Sequence, residues 1–184
     1  MQKTPSVVQP PAVWTEMLSQ NEESLALLTE QSPVLLVFLR HFGCSFCREA
    51  ISDIAKRRNR LEKRGVRIVM VHMANEPGLA EKFFHKYKLW PIDYISDPEK
   101  RLYRAFELGR GTPAQLFGLM NWIRGFEAGI LEGHGFASPG EEYGDGFQMP
   151  GVFVLHKGEI KHSFIHRHAW DRPDYEEIVN SCEI

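Results

Sequence analysis

Residues 34–39, VLLVFL, run directly into RHFG and then into CSFCREAISDIAKRRNRLEKRG. A short apolar run rich in branched side chains, entered after Pro33, reads as a strand buried on both faces, in the interior of a sheet. In the segment that follows, Ala50, Ile51, Ile54, Ala55 and Leu61 recur at helical spacing, and Gly65 ends the pattern. Residues 66–73 (VRIVMVHM) predict a second strand, and residues 79–87 a second helix after the Pro77-Gly78 turn. Strand, helix, strand, helix in that order predicts a parallel α/β unit, with Cys44 and Cys47 at the start of its first helix.

The remaining pattern completes one domain spanning 1–184. Residues 152–156 and 160–166 are two strands joined by Lys157-Gly158-Glu159, short enough to force an antiparallel hairpin. A last helix covers 174–182, with Asp171 and Pro173 suited to its cap and first turn. Residues 14–28 place Trp14, Met17, Leu18, Leu25 and Leu28 on one face of a first helix, and the proline-rich residues 1–12 read as a mobile N-terminal arm. About 89–149 is longer than a connection requires and reads as an insert before the C-terminal β-hairpin. It holds a short helix over 99–106, another over 114–126, and a glycine-rich loop suited to a lid or substrate wall. The expectation is an α/β fold: a central mixed sheet of four or five strands flanked by helices.

Composition narrows the partners. Lys plus Arg number 22 against 24 Asp plus Glu, a net charge of -2, so no whole-chain field favours nucleic acid or an anionic membrane surface. The longest apolar run is six residues, where a membrane-spanning helix needs about 20. The opening MQKTPSVVQPPAVW has no apolar core of a secretory signal, which predicts a cytoplasmic protein. Three cysteines are too few for a disulfide-stapled scaffold, and two of them form one CxxC.

That CxxC carries the chemistry. A thiol reacts as thiolate, and a helix N-terminus favours thiolate through its free N–H groups and dipole. Cys44 is placed for that effect, and Cys47, one turn on, is within reach to resolve a bond formed at Cys44. Arg40, His41 and Arg48 add positive charge on both sides, which supports the thiolate if they turn inward. A zinc site is the alternative, but four ligands are normal and no second CxxC or CxxH completes a set, so neither metal nor cofactor is expected. His156, His162, His166 and His168 cluster late, with 162, 166 and 168 on one face if their strand stays regular. They lack an acidic or cysteine partner at matching spacing. The basic run from Lys56 to Arg64 reads as a solvated helix face, and Trp90, Trp122 and Phe126 as core or as the wall of a cleft.

The segments LLVFLRHFGCSFCREA, ISDPEKRLYRAF and GDGFQMPGVFVLHKGEI resemble the peroxiredoxin-like, thiol-specific-antioxidant (AhpC/TSA-like) branch of the thioredoxin superfamily, and are similar to selenoprotein-L-related redox proteins. The resemblance covers nearly all of the chain beyond the arm. It implies a thioredoxin-like fold and a thiol-dependent oxidoreductase whose Cys44 and Cys47 cycle between dithiol and disulfide. The substrate is then a peroxide or other small oxidant, and the electron donor a thiol such as thioredoxin or glutathione. The alternatives are a thioredoxin-type protein disulfide reductant and a redox-inactive binding module. The resemblance also implies that Pro150 is the cis-proline beside the sulfurs. Three departures stand out. Phe38 occupies the position of the buried thioredoxin carboxylate, which leaves His41 as the nearest base. Ser45-Phe46 separates the cysteines. Cys44 falls where peroxiredoxins carry Thr and Cys47 where they carry the reactive Cys, so which sulfur attacks stays open. Arg110 and Arg124 are candidates for the arginine that polarises peroxide.

Overall fold

The computed structural model describes residues 11–112, 145–182 and 184. Its centre is β1 (Val34–Phe38), in which every residue is buried. β1 pairs in parallel with β2 (Arg67–His72), and β2 with β3 (Asp93–Ser96). On its other edge β1 pairs antiparallel with β4 (Gly151–His156), which turns back into β5 (Glu159–Ile165). The five-stranded mixed sheet therefore runs β3-β2-β1-β4-β5, and the expected α/β class holds. The hairpin turn is tighter than the sequence suggested. Lys157 at φ 51 and Gly158 at φ 73 make a two-residue turn of the kind that matches strand twist, and Glu159 already belongs to β5.

Alternation along β1 divides the core in two. Leu35 and Val37 face a cluster with α3 (Ser45–Glu62), α4 (Leu79–Lys86) and α6 (Tyr175–Asn180). Val34, Leu36 and Phe38 face the opposite layer of α1 (Ala12–Glu16), α2 (Leu25–Gln31) and α5 (Arg101–Ala105). Phe38 sits among Tyr103, Phe106 and Phe153, with ring centroids 4.9, 5.1 and 5.7 Å away. Gly151, paired with Phe38, is required small: a Cβ there would lie 2.7 Å from Leu108 Cδ2.

Three expectations are corrected. The single helix over 14–28 is two helices, broken where Glu22 turns at φ 62 and Leu18 bridges Ser24, whose side chain then caps α2. The stretch 89–149 is only partly an insert, because β3 completes the sheet and α5, inside the expected 99–106, packs on it. Its expected helix over 114–126, with Trp122, and most of its glycine-rich loop lie outside the described residues, as does the arm up to residue 10. Residue 12 already belongs to α1. No helix among the described residues is long and apolar enough to cross a membrane.

The join between β1 and the turn that follows it is fixed by Tyr103, fully buried, whose hydroxyl donates to the carbonyls of Leu39 at 2.5 Å and Val71 at 3.2 Å. Val71 O keeps a second donor, Leu39 N, so Tyr103→Phe orphans the Leu39 carbonyl alone. A buried acceptor left unpaired costs about 1–3 kcal/mol. Tyr103→Phe should lower the Tm by about 2–10 °C in a thermal melt while leaving far-UV circular dichroism unchanged.

Candidate active site

Cys44 is the N-cap of α3, in extended conformation, so its sulfur sits where the helix presents its free N–H groups. Cys47 lies one turn along. Both are free thiols and both are buried, 4% and 3% exposed. The Arg40 backbone N–H donates to Cys47 Sγ at 3.3 Å, and its Nη1 to Cys44 Sγ at 3.6 Å. Arg40 is itself buried, and Nη2 donates to the carbonyl of Gly146.

The two thiols are driven apart. Cys44 falls well below the ordinary thiol range because the Cys47 thiol donates a hydrogen bond to it, with the Arg40 charge, and His41 where it carries a proton, adding to that pull against the cost of burial. Cys47 rises well above it, because burial and its donation to Cys44 both favour the protonated form. The two thiols are thus unequal: Cys44 is the readier to ionise and Cys47 the one that keeps its proton.

The flanking residues differ in role. Burial lowers the His41 pKa, so the ring is neutral at pH 7, although Cys44 pulls the other way. Its ring lies beside Gly146, with Nε2 3.6 Å from where a Cβ there would stand, an ordinary van der Waals distance. Arg48 turns to the loop: Nε donates to Phe42 O at 2.7 Å and the guanidinium covers Phe83. Phe42 is wedged between Phe83, Phe84 and His72, so Arg48 and Phe42 together anchor the turn that holds Cys44.

A strap covers the site. Gly111 N donates to Phe147 O at 2.7 Å, Met149 N to Gly109 O at 3.0 Å, and the buried Gln148 side chain to Leu108 O at 2.7 Å. Asp145 takes Lys100 and Arg110, which hold its carboxyl below the usual range against burial. Arg110 is therefore a strap residue, 60% exposed along its side chain, and Arg124 lies outside the described residues. Pro150 lines a cavity beside Cys47, but Met149-Pro150 is trans, and the cis bond among the described residues is Trp90-Pro91. Pro150 stands where β4 is entered, needs no N–H there, and its carbonyl accepts from His166 N at 3.4 Å.

The late histidines do not share a face, because β5 ends at Ile165. His162 meets Ser181, His168 stacks on Trp170, and His166 turns into the cavity beside Cys47. The basic residues on α3 are paired, Arg57 and Arg60 with Glu176, Arg58 with Glu62, and the largely exposed Lys56 with Asp53. No cluster of three metal-binding side chains occurs among the described residues. Sequence reasoning placed Gly146 only in the glycine-rich loop, without its contact to Arg40, and missed Gln148 and Glu49. The last carried a signal, since Glu49 and Asp53 are carboxylates four apart next to the apolar stripe of α3.

The sheet order and the helices on its two faces are a thioredoxin-like architecture, with a pair of unequal thiols where the central strand turns into α3. Comparison with known proteins narrows this class. Residues 53–169 match the AhpC/TSA antioxidant enzyme family, well over half of the chain, and the chain belongs to that family. The match opens within α3, just after Cys47. The chain is 27% identical over 175 residues to the thioredoxin-like protein AAED1 of Arabidopsis thaliana, covering 90% of this chain and 68% of that one. It is 29% identical over 164 residues to the human peroxiredoxin-like 2C, covering 86% and 70%. Among solved structures, a yeast mitochondrial 1-Cys peroxiredoxin superposes with a TM-score of 0.60 at 13% identity, covering 97% of this chain and 74% of that one, which supports the fold. The chain is a peroxiredoxin-like member of the thioredoxin superfamily.

The asymmetry of the thiols sets a test. Removing the Arg40 cation in Arg40→Met should raise the Cys44 pKa and displace the pH profile of iodoacetamide alkylation upward, with about tenfold less thiolate at any fixed pH on the acid side of the transition for every pH unit the profile moves. Arg48→Met, which acts on the loop, should move that profile less.

Proposed function

We propose that the protein reduces peroxides or comparably small oxidants, with Cys44 as the attacking thiolate and Cys47 as the resolving thiol. The observation that carries this is Arg40, whose buried guanidinium reaches Cys44 Sγ at 3.6 Å while its N–H holds Cys47. A fixed cation beside a thiolate stabilises the negative charge that moves onto the peroxide oxygens during attack. The family match and the peroxiredoxin-like relatives support a thiol-dependent oxidoreductase, and the burial of both sulfurs favours a small oxidant over a folded disulfide substrate.

The chemistry balances in three steps. The Cys44 thiolate attacks the terminal oxygen of ROOH. The O–O bond breaks, Cys44 becomes a sulfenic acid, and RO⁻ leaves to take a proton as ROH. Cys47 then forms the S–S bond and displaces the sulfenic oxygen as water. An external thiol returns two electrons and regenerates the dithiol. A thioredoxin- or glutathione-type donor fits that last step, in line with the yeast peroxiredoxin described as resolved through glutathione and thioredoxin systems.

Stopped-flow oxidation of the reduced protein by hydrogen peroxide tests this. Wild type and Cys47→Ser should oxidise fast, the latter stopping at a trappable sulfenic acid, and Cys44→Ser should lose the fast phase. Rates no better than a free thiol, beside rapid reduction of insulin disulfides, would instead make the protein a disulfide reductant.

A further inference from the structure

A cavity of about 30 Å³ lies against Cys47. That is room for at least one water molecule, and a water needs polar partners. Three elements supply its charged wall: Arg40 from the turn after β1, Glu49 and Asp53 from α3, and His166, Asp171 and Arg172 from the segment after β5, with Tyr175 of α6 beside them. Two nitrogens in that wall are buried and have no hydrogen-bond partner, Arg40 Nε and His166 Nδ1. Buried polar atoms without partners are uncommon and call for an explanation. One is an N–H donor. The other is a ring nitrogen that offers a lone pair in the Nε2-protonated tautomer of the neutral imidazole, the form in which it can accept a proton.

Cys47 supplies the need for such a site. It attacks as thiolate, yet burial keeps it protonated, so closing the disulfide requires a proton acceptor. Phe38 provides none, since its side chain is packed among Tyr103, Phe106 and Phe153. His41 is not part of this cavity wall. Glu49 and Asp53 hold Arg172, and one oxygen of Asp171 accepts from the backbone of Arg167 and His168. His166 remains. Burial drops its pKa to about 4, with Asp171 and Arg40 acting in opposite directions, so the ring is uncharged at neutral pH.

We propose that this cavity is a one-water proton relay, in which Arg40 Nε–H fixes the water oxygen and the water passes the Cys47 proton to His166 as the disulfide closes. The proposal rests on the reading that Cys44 reacts first. With Cys44 as sulfenic acid, the Cys47 S–H bond breaks and its electron pair forms the S–S bond. The S–O bond breaks, hydroxide leaves, and the proton held on Nδ1 returns to it as water. His166 acts through the water and is a positioning and relay residue.

The test separates the two readings by using a small disulfide in place of peroxide. Full-length protein carrying Cys182→Ser is mixed with 4,4′-dithiodipyridine. The first pyridinethione released reports attack by Cys44, and the second reports displacement by Cys47. For wild type the second release should be flat from about pH 5 to pH 8, because the imidazole is free to accept throughout. In His166→Gln it should rise about tenfold per pH unit, as a thiol below its pKa does, and fall at least tenfold below wild type at pH 6, with the first release unchanged. In wild type alone, D₂O should slow the second release and not the first. A Gln variant with the wild-type profile, or a wild-type second release equally fast in D₂O, overturns the relay. A first release that survives Cys44→Ser and vanishes in Cys47→Ser overturns the assignment of the attacking sulfur, and the relay's part in closure with it.

Discussion

The Arg40 guanidinium is where strand, helix and strap meet. It follows the central strand directly, is 6% exposed, and divides its donors between Cys44, the Gly146 carbonyl and, through its backbone, Cys47. A cation taken that far out of water is costly unless something charged or polar replaces the solvent. A thiolate does so. The cation and the Cys44 thiolate therefore depend on each other, and the unequal thiols follow from that pairing and from the single proton bond between the sulfurs.

The rest of the fold serves to hold this arrangement still. Tyr103 ties the end of β1 to β2, Phe42 wedges the turn into the α4 aromatics, and Gln148 pins the strap across from Leu108 and Gly109. Each acts on backbone rather than on sulfur. The chemistry proposed here draws on the two thiols, Arg40 and the cavity beside Cys47, while these contacts fix distances, the division of labour expected where preorganised charge does most of the work.

What could be read from the chain follows from how local each signal is. β1, α3 and the hairpin were legible because their periodicity and turn residues are contiguous. The break between α1 and α2 was not, because it depends on Glu22 adopting a left-handed turn inside an otherwise helical pattern. β3 was missed because four residues, DYIS, at a sheet edge carry too little alternation. The cysteines and Arg40 could be proposed from spacing and charge. Arg48 could not be told from Arg40 that way, since both flank the pair and only tertiary packing sends one to sulfur and the other to the Phe42 carbonyl. The trans geometry at Pro150 and the turn of His166 toward Cys47 are set by contacts across the sheet, out of reach of any local pattern.

The chemistry proposed for Cys44 and Cys47 depends on the two thiols of the reduced protein being held in different protonation states. Thiolate absorbance near 240 nm, followed against pH in the Cys182→Ser protein, measures this directly. Two separated steps are expected, one well below the ordinary thiol range of about 8.5 and one well above it, with the lower step absent from Cys44→Ser. A single transition of both thiols near the ordinary range would contradict it.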